Sequence, residues 1–123
     1  MKCAIALVAA LALSTPAAAQ HAHGSKGPNG GQLEDVAGVH AELLTSGSSI
    51  TVNIFDEANK PVATTGFAAS ALVVRGSERE AVALAPVGEN TLKGDAKKAV
   101  SGAAITITVK TTAGKSGQVR FKP

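Results

Sequence analysis

The chain has 123 residues, with 12 lysines and arginines, 9 aspartates and glutamates and 3 histidines, and a net charge of +3. Its single cysteine, Cys3, lies near the N-terminus, so the rest of the chain can form neither an internal disulfide nor a thiolate metal site. There is no tryptophan or tyrosine, and three phenylalanines are too few for a surface that stacks nucleic-acid bases on aromatic rings.

Residues 1–19 have the pattern of an export signal. Lys2 supplies a positive start, residues 4–13 are apolar, and Ala17-Ala18-Ala19 places small residues at a cleavage site. The apolar run is shorter than the ~20 residues of a helix that spans a bilayer. We therefore predict cleavage after Ala19, export to the periplasm, and no stable membrane insertion of the remaining chain.

Residues 20–31 are rich in histidine and glycine and poor in apolar side chains, a composition typical of a flexible segment. His21 and His23 flank one alanine, and a pair of imidazoles suits Cu(II), Ni(II) or Zn(II). Pro28-Asn29-Gly30-Gly31 then gives a strong turn signal. This segment is predicted to lead into the folded domain.

Residues 32–123 are predicted to form one β domain, because apolar and polar residues alternate over short runs that are separated by turn signals. About seven strands are predicted, near residues 39–44, 50–55, 69–74, 80–85, 90–93, 104–110 and 118–122. Strands at this regular spacing predict a single antiparallel β-sandwich of immunoglobulin-like architecture. An eight-stranded barrel is the alternative.

The first predicted hairpin has a register that follows from its apolar pattern. If the apolar residues of both strands face the core, residue 41 must oppose residue 54, and residue 43 must oppose residue 52. The same register sets His40 opposite Phe55 and Glu42 opposite Asn53 on one polar surface. His40 and Glu42 point the same way because residues two apart on a strand share a face.

The candidate metal ligands are His21, His23, His40 and Glu42, which offer three nitrogens and one oxygen. The glycines between residues 24 and 31 permit the N-terminal segment to fold back toward His40. The alternative interpretation is a polar tail and an exposed histidine on a hairpin. We predict no enzyme and no catalytic residues, because the serines lie in turns without a neighbouring histidine.

Three segments carry a resemblance to a known module: Pro28-Asn29-Gly30-Gly31, His40-Ala41-Glu42-Leu43, and residues 50–56. Together they resemble a periplasmic β module found near the N-terminus of heavy-metal efflux adaptor proteins. In that module the turn is commonly Pro-His-Gly-Gly, whereas this chain has Asn29. The resemblance covers roughly residues 27–61 and implies a role in heavy-metal resistance.

By this resemblance, His40 and Glu42 match positions of the module, and His21 and His23 match its histidine-rich lead-in. We therefore expect a small periplasmic accessory protein that buffers a divalent transition metal (Cu, Zn or Ni) or hands it to an export system. Its partner would be a metal-efflux protein or another envelope protein. The alternative is a non-catalytic structural or protein-interaction module of the cell envelope that binds no metal.

Overall fold

The computed structural model describes residues 25–123, so the predicted export signal, its cleavage site, His21 and His23 all lie outside the described residues. Within them, no helix is long and apolar enough to cross a membrane. The described chain consists of strands and loops, and its nine strands are β1 (Ser25–Lys26), β2 (Gln32–Val36), β3 (Val39–Ser46), β4 (Ser49–Phe55), β5 (Ala68–Arg75), β6 (Glu78–Val87), β7 (Thr91–Asp95), β8 (Ala104–Lys110) and β9 (Ser116–Phe121).

The strands form one antiparallel sheet in the order β1-β2-β3-β4-β7-β6-β5-β8-β9. The sheet curls about its core, so that β9 returns close to the connection between β2 and β3. A Cβ atom built on Gly117 of β9 would lie 2.9 Å from the backbone nitrogen of Ala37. The sheet therefore bends far enough to bring its two ends into contact, while β1 and β9 remain its edge strands.

The predicted all-β class is confirmed, but the predicted division into two packed sheets of immunoglobulin-like architecture is not. The physical reason lies in β6, which is ten residues long. Its residues 78–84 pair with β5, and its residues 85–87 pair with β7. Hydrogen bonding is therefore continuous across what would be the gap between two sheets. The seven predicted strands correspond to β3–β9, and β1 and β2 were not predicted.

The hairpin of β3 and β4 has the predicted register, with His40 opposite Phe55 and Glu42 opposite Asn53. Of its core-facing residues, Ala41, Val52 and Ile54 are fully buried, whereas Leu43 is partly buried against the same core. The other face was predicted to be a polar surface, but Glu42, Asn53 and Phe55 on it are buried as well. The turn that precedes β2 covers part of this face, because it donates hydrogen bonds to the Glu42 carboxylate.

The core is built from aliphatic side chains on the concave side of the sheet, which the composition predicts. Along β8, Ile105, Ile107 and Val109 are buried, whereas the intervening threonines are more exposed, so the predicted alternation is confirmed. Phe67 and Phe121 belong to the same buried cluster. Removal of this apolar surface from water is the main favourable contribution to folding.

Candidate functional site

The four predicted ligands fall into two groups. His21 and His23 lie outside the described residues, and His40 and Glu42 lie on one face of β3. Although these two side chains share a face, each has a different partner. Glu42 contacts the turn between β1 and β2, and His40 contacts an aspartate of β2.

The turn between β1 and β2 is a tight three-residue loop. Gly27 and Gly31 close it, because the Gly27 N–H donates to the carbonyl of Gly31 over 2.7 Å. Inside the loop, the Gly30 N–H donates to the carbonyl of Gly27 over 3.0 Å. Gly30 has φ of +84°, the left-handed conformation that commonly completes a three-residue hairpin loop. Part of the predicted flexible segment, residues 25–31, thus forms a strand and a hydrogen-bonded turn.

The carboxylate of Glu42 is held by three N–H donors of this turn. Its Oε2 accepts from the backbone N–H of Asn29 over 2.8 Å and from that of Gly31 over 3.0 Å. Its Oε1 accepts from the side-chain amide of Asn29 over 2.8 Å. The residue is 0% exposed, so these bonds replace the water that a buried carboxylate loses. We call Glu42, Asn29 and Gly31 the Glu42 latch.

Two glycines of the turn are required by the close approach of Glu42. A Cβ atom at Gly27 would lie 2.5 Å from the carboxyl carbon of Glu42. A Cβ atom at Gly31 would lie 2.3 Å from the carbonyl oxygen of Leu43 and 2.9 Å from Cγ of Glu42. The Pro-Asn-Gly-Gly and Ala-Glu-Leu segments of the sequence are therefore in direct contact, and their glycines and glutamate depend on one another.

Beyond the latch, Glu42 lies next to a second set of buried polar groups. Asn53, opposite Glu42 in the sheet, accepts a hydrogen bond from the hydroxyl of Thr91 over 2.8 Å. The fully buried Thr64 donates its hydroxyl to the carbonyl of Thr91 over 3.1 Å. These bonds give polar groups of Asn53, Thr64 and Thr91 partners within the protein.

His40 is paired with Asp35, which sequence analysis did not single out. The two residues are opposite each other on β2 and β3, and Nε2 of His40 lies 3.1 Å from Oδ1 of Asp35. The His40 side chain is 19% exposed, and its other ring nitrogen, Nδ1, is buried without a hydrogen-bond partner among the described residues. Recognising β2 as the strand before β3 would have identified Asp35.

A buried polar atom without a partner requires a physical explanation, such as a bound ion or a water molecule. A histidine that ligates a metal usually donates its second ring N–H to a carboxylate, which fixes the direction of the ring. The Asp35–His40 pair has this arrangement, with Nδ1 as the nitrogen left for a ligand. Within residues 25–123, however, no group of three or more histidine, aspartate or glutamate side chains is placed to hold a metal.

Two grooves open on the described surface near these strands. One of about 240 Å³ is lined by Leu43, Phe121 and the 100–103 loop, and one of about 330 Å³ is lined by Val39, Phe67 and the 111–115 loop. Neither is lined by His40 or Glu42.

Comparison of the chain with protein-family models, curated proteins and solved structures finds no match.

Proposed function

We propose that this chain is a small exported accessory protein that binds a divalent transition metal through Nδ1 of His40, with His21 and His23 as further ligands. The observation that carries the proposal is the buried, unpartnered Nδ1 beside a histidine–carboxylate pair. An unsatisfied buried acceptor costs about 1–3 kcal/mol, and a metal ion bound there would remove that cost. The protein would buffer the metal or hand it to an export system.

His23 is within reach of the Asp35–His40 pair by chain length alone. Ser25 is opposite Leu33, and Leu33 is two residues before Asp35 on β2. His23 is two residues before Ser25 in the chain. Two extended residues span at most about 7 Å, which is the same distance that separates Leu33 from Asp35 along an extended strand. The segment that precedes Ser25 therefore has the length needed to bring an imidazole to the Asp35–His40 pair.

Glu42 is not a ligand in this proposal, unlike in the set predicted from the sequence. Both of its oxygens accept hydrogen bonds from Asn29 and Gly31. Moving the carboxylate to a metal would leave those donors unpaired, which opposes ligation. We propose instead that Glu42 fixes the turn before β2 and so determines where the N-terminal segment leaves the sheet.

The ligand chemistry limits the metals that this site would take. Imidazole nitrogens suit Zn(II), Cu(II) and Ni(II), and the chain offers no thiolate beyond Cys3 of the predicted export signal. Asp35 would act mainly by orienting His40, because its oxygen is already paired with Nε2. This set of groups favours a moderate, exchangeable site, which is what buffering or handover requires.

The experiment is a calorimetric titration of the processed protein with Zn(II), Ni(II) and Cu(II), after its N-terminus has been established by mass spectrometry. We expect saturable binding that the His40→Ala variant weakens strongly. Asp35→Asn should weaken it by about tenfold or more, because it removes the carboxylate that orients the ring. Asp95→Asn is the matched control, since Asp95 is an exposed carboxylate on β7, and it should bind as the wild type does.

The variant with both His21→Ala and His23→Ala separates the shared site from a chelate formed by the N-terminus alone. The proposal requires weakened binding in this variant and in His40→Ala. Binding that depends only on residues 21 and 23 would refute the role of His40. If all three histidines can be replaced without loss of binding, the metal proposal fails, and a non-catalytic interaction module of the envelope becomes the better interpretation.

A further inference from the structure

We propose that Asn29 is a site of spontaneous deamidation, and that the buried Glu42 carboxylate restrains this reaction. The four asparagines of the chain are followed by different residues: Asn29 by glycine, and the others by isoleucine, lysine and threonine. Deamidation requires the next backbone nitrogen to reach the side-chain carbonyl carbon, and only glycine leaves that approach free of a side chain. Asn29 is therefore the intrinsically most reactive of the four.

The reaction is balanced without any oxidant or cofactor. The Gly30 nitrogen loses its proton to solvent and attacks Cγ of Asn29, so that an N–Cγ bond forms. The Cγ–Nδ2 bond breaks, Nδ2 takes up a proton, and ammonia leaves a five-membered succinimide. Water then opens the ring at one of its two carbonyl carbons, which gives aspartate or isoaspartate at position 29.

The folded turn restrains both reacting nitrogens. The Gly30 N–H, the nucleophile once deprotonated, donates to the carbonyl of Gly27 over 3.0 Å. The leaving nitrogen, Nδ2 of Asn29, donates to Oε1 of Glu42 over 2.8 Å, and the Asn29 backbone N–H donates to Oε2. The Asn29 side chain is therefore held against β3, and the reaction requires these bonds to break.

The product does not fit the place that Asn29 occupies. An aspartate at position 29 would lack the N–H donor and would set a second negative charge against Glu42, and like charges at this distance repel. An isoaspartate would add a backbone atom to a loop that Gly27 and Gly31 close with a 2.7 Å hydrogen bond. Either product releases the turn from β3, so the modification is a one-way change in the Glu42 latch.

The test incubates the processed protein in mildly alkaline buffer and follows each asparagine peptide by mass spectrometry. We expect deamidation first at Asn29, at a rate well below that of the same chain unfolded in urea. Glu42→Gln should raise the Asn29 rate by about fivefold or more, because it replaces one acceptor oxygen with an amide. The matched control is Glu57→Gln, which changes an exposed glutamate of the 56–60 loop and should leave the rate unchanged.

A second variant keeps the test decisive if Glu42→Gln unfolds. Asn29→Asp should accelerate amide hydrogen exchange at Gly31, whose N–H donates to Glu42, and Asn59→Asp in an exposed turn should leave that exchange unchanged. Equal Asn29 rates in the folded and unfolded chain would overturn the proposal. So would an unchanged rate in a folded Glu42→Gln variant, or wild-type exchange at Gly31 in Asn29→Asp.

Discussion

Glu42 is an acidic residue that the fold buries completely, and its carboxylate is stabilised by hydrogen bonds from the N–H groups of one short turn. Its face of β3 could be predicted from the alternation of apolar residues. Its partners could not, because they depend on how the loop at residues 27–31 folds over the sheet. A glutamate beside a histidine in sequence therefore looked like half of a metal site, whereas the structure gives it a different set of contacts.

The contribution of the latch to stability can be measured with Glu42→Gln. The substitution keeps the side-chain shape but leaves one carbonyl oxygen for three N–H donors. We expect the free energy of unfolding in urea to fall by about 1–3 kcal/mol, the cost of leaving buried donors unpaired. Glu57→Gln should change it by less than about 0.5 kcal/mol, as is usual for exposed positions. Equal stability of the two variants would show that the latch contributes little.

His40 shows a second limit of prediction from the sequence, again at the scale of a single residue. Its position opposite Phe55 was predictable, because one hairpin register satisfies the apolar pattern. Its pairing with Asp35 was not, because the strand that carries Asp35 was not recognised. Which of the two ring nitrogens of His40 is buried depends on the folded structure, and no sequence pattern indicates it.

At the scale of elements, β2 shows why a strand can escape sequence analysis. Its hairpin with β3 turns through Ala37 and Gly38, which have φ of 52° and 81°. Two-residue turns of this kind strongly prefer Asn-Gly or Asp-Gly, because both positions are left-handed. Ala-Gly carries no such signal, and Ala37 adopts a conformation that its side chain disfavours. By contrast, β8 was predictable, because its alternation is regular and its flanking turns are marked.

Replacing Ala37 with asparagine should stabilise this hairpin. Asparagine tolerates the left-handed conformation better than alanine does, and Asn-Gly is the preferred pair for the turn. We expect Ala37→Asn to raise the free energy of unfolding by about 0.5 kcal/mol, measured in urea.

The control for this hairpin is Ala113→Asn. Ala113 lies in an exposed loop, and its φ is not positive, although that of its neighbour Gly114 is. It should leave the free energy of unfolding unchanged within about 0.3 kcal/mol. A loss of stability in Ala37→Asn would mean that partial burial of residue 37 outweighs its backbone strain.

At the scale of the whole molecule, local patterns indicated the β class but not how the strands join. A sandwich and a curled sheet use the same short alternating strands, and they differ only in which strands share hydrogen bonds. Here β6 connects the two halves by pairing with β5 along most of its length and with β7 at its end. That division of one strand between two neighbours is set by long-range packing, which a periodicity analysis does not detect.

The proposed metal site would combine the Asp35–His40 pair of β2 and β3 with histidines of the chain before β1. In this site, Nδ1 of His40 would bind the metal while Nε2 stays paired with Asp35. The most direct measurement is ¹⁵N NMR of the imidazole nitrogens during a Zn(II) titration of the processed protein. We expect a large shift at Nδ1 of His40, with Nε2 still protonated, together with shifts at His21 and His23. A spectrum in which His40 does not respond, or in which its Nε2 is the nitrogen that binds, would contradict the proposal.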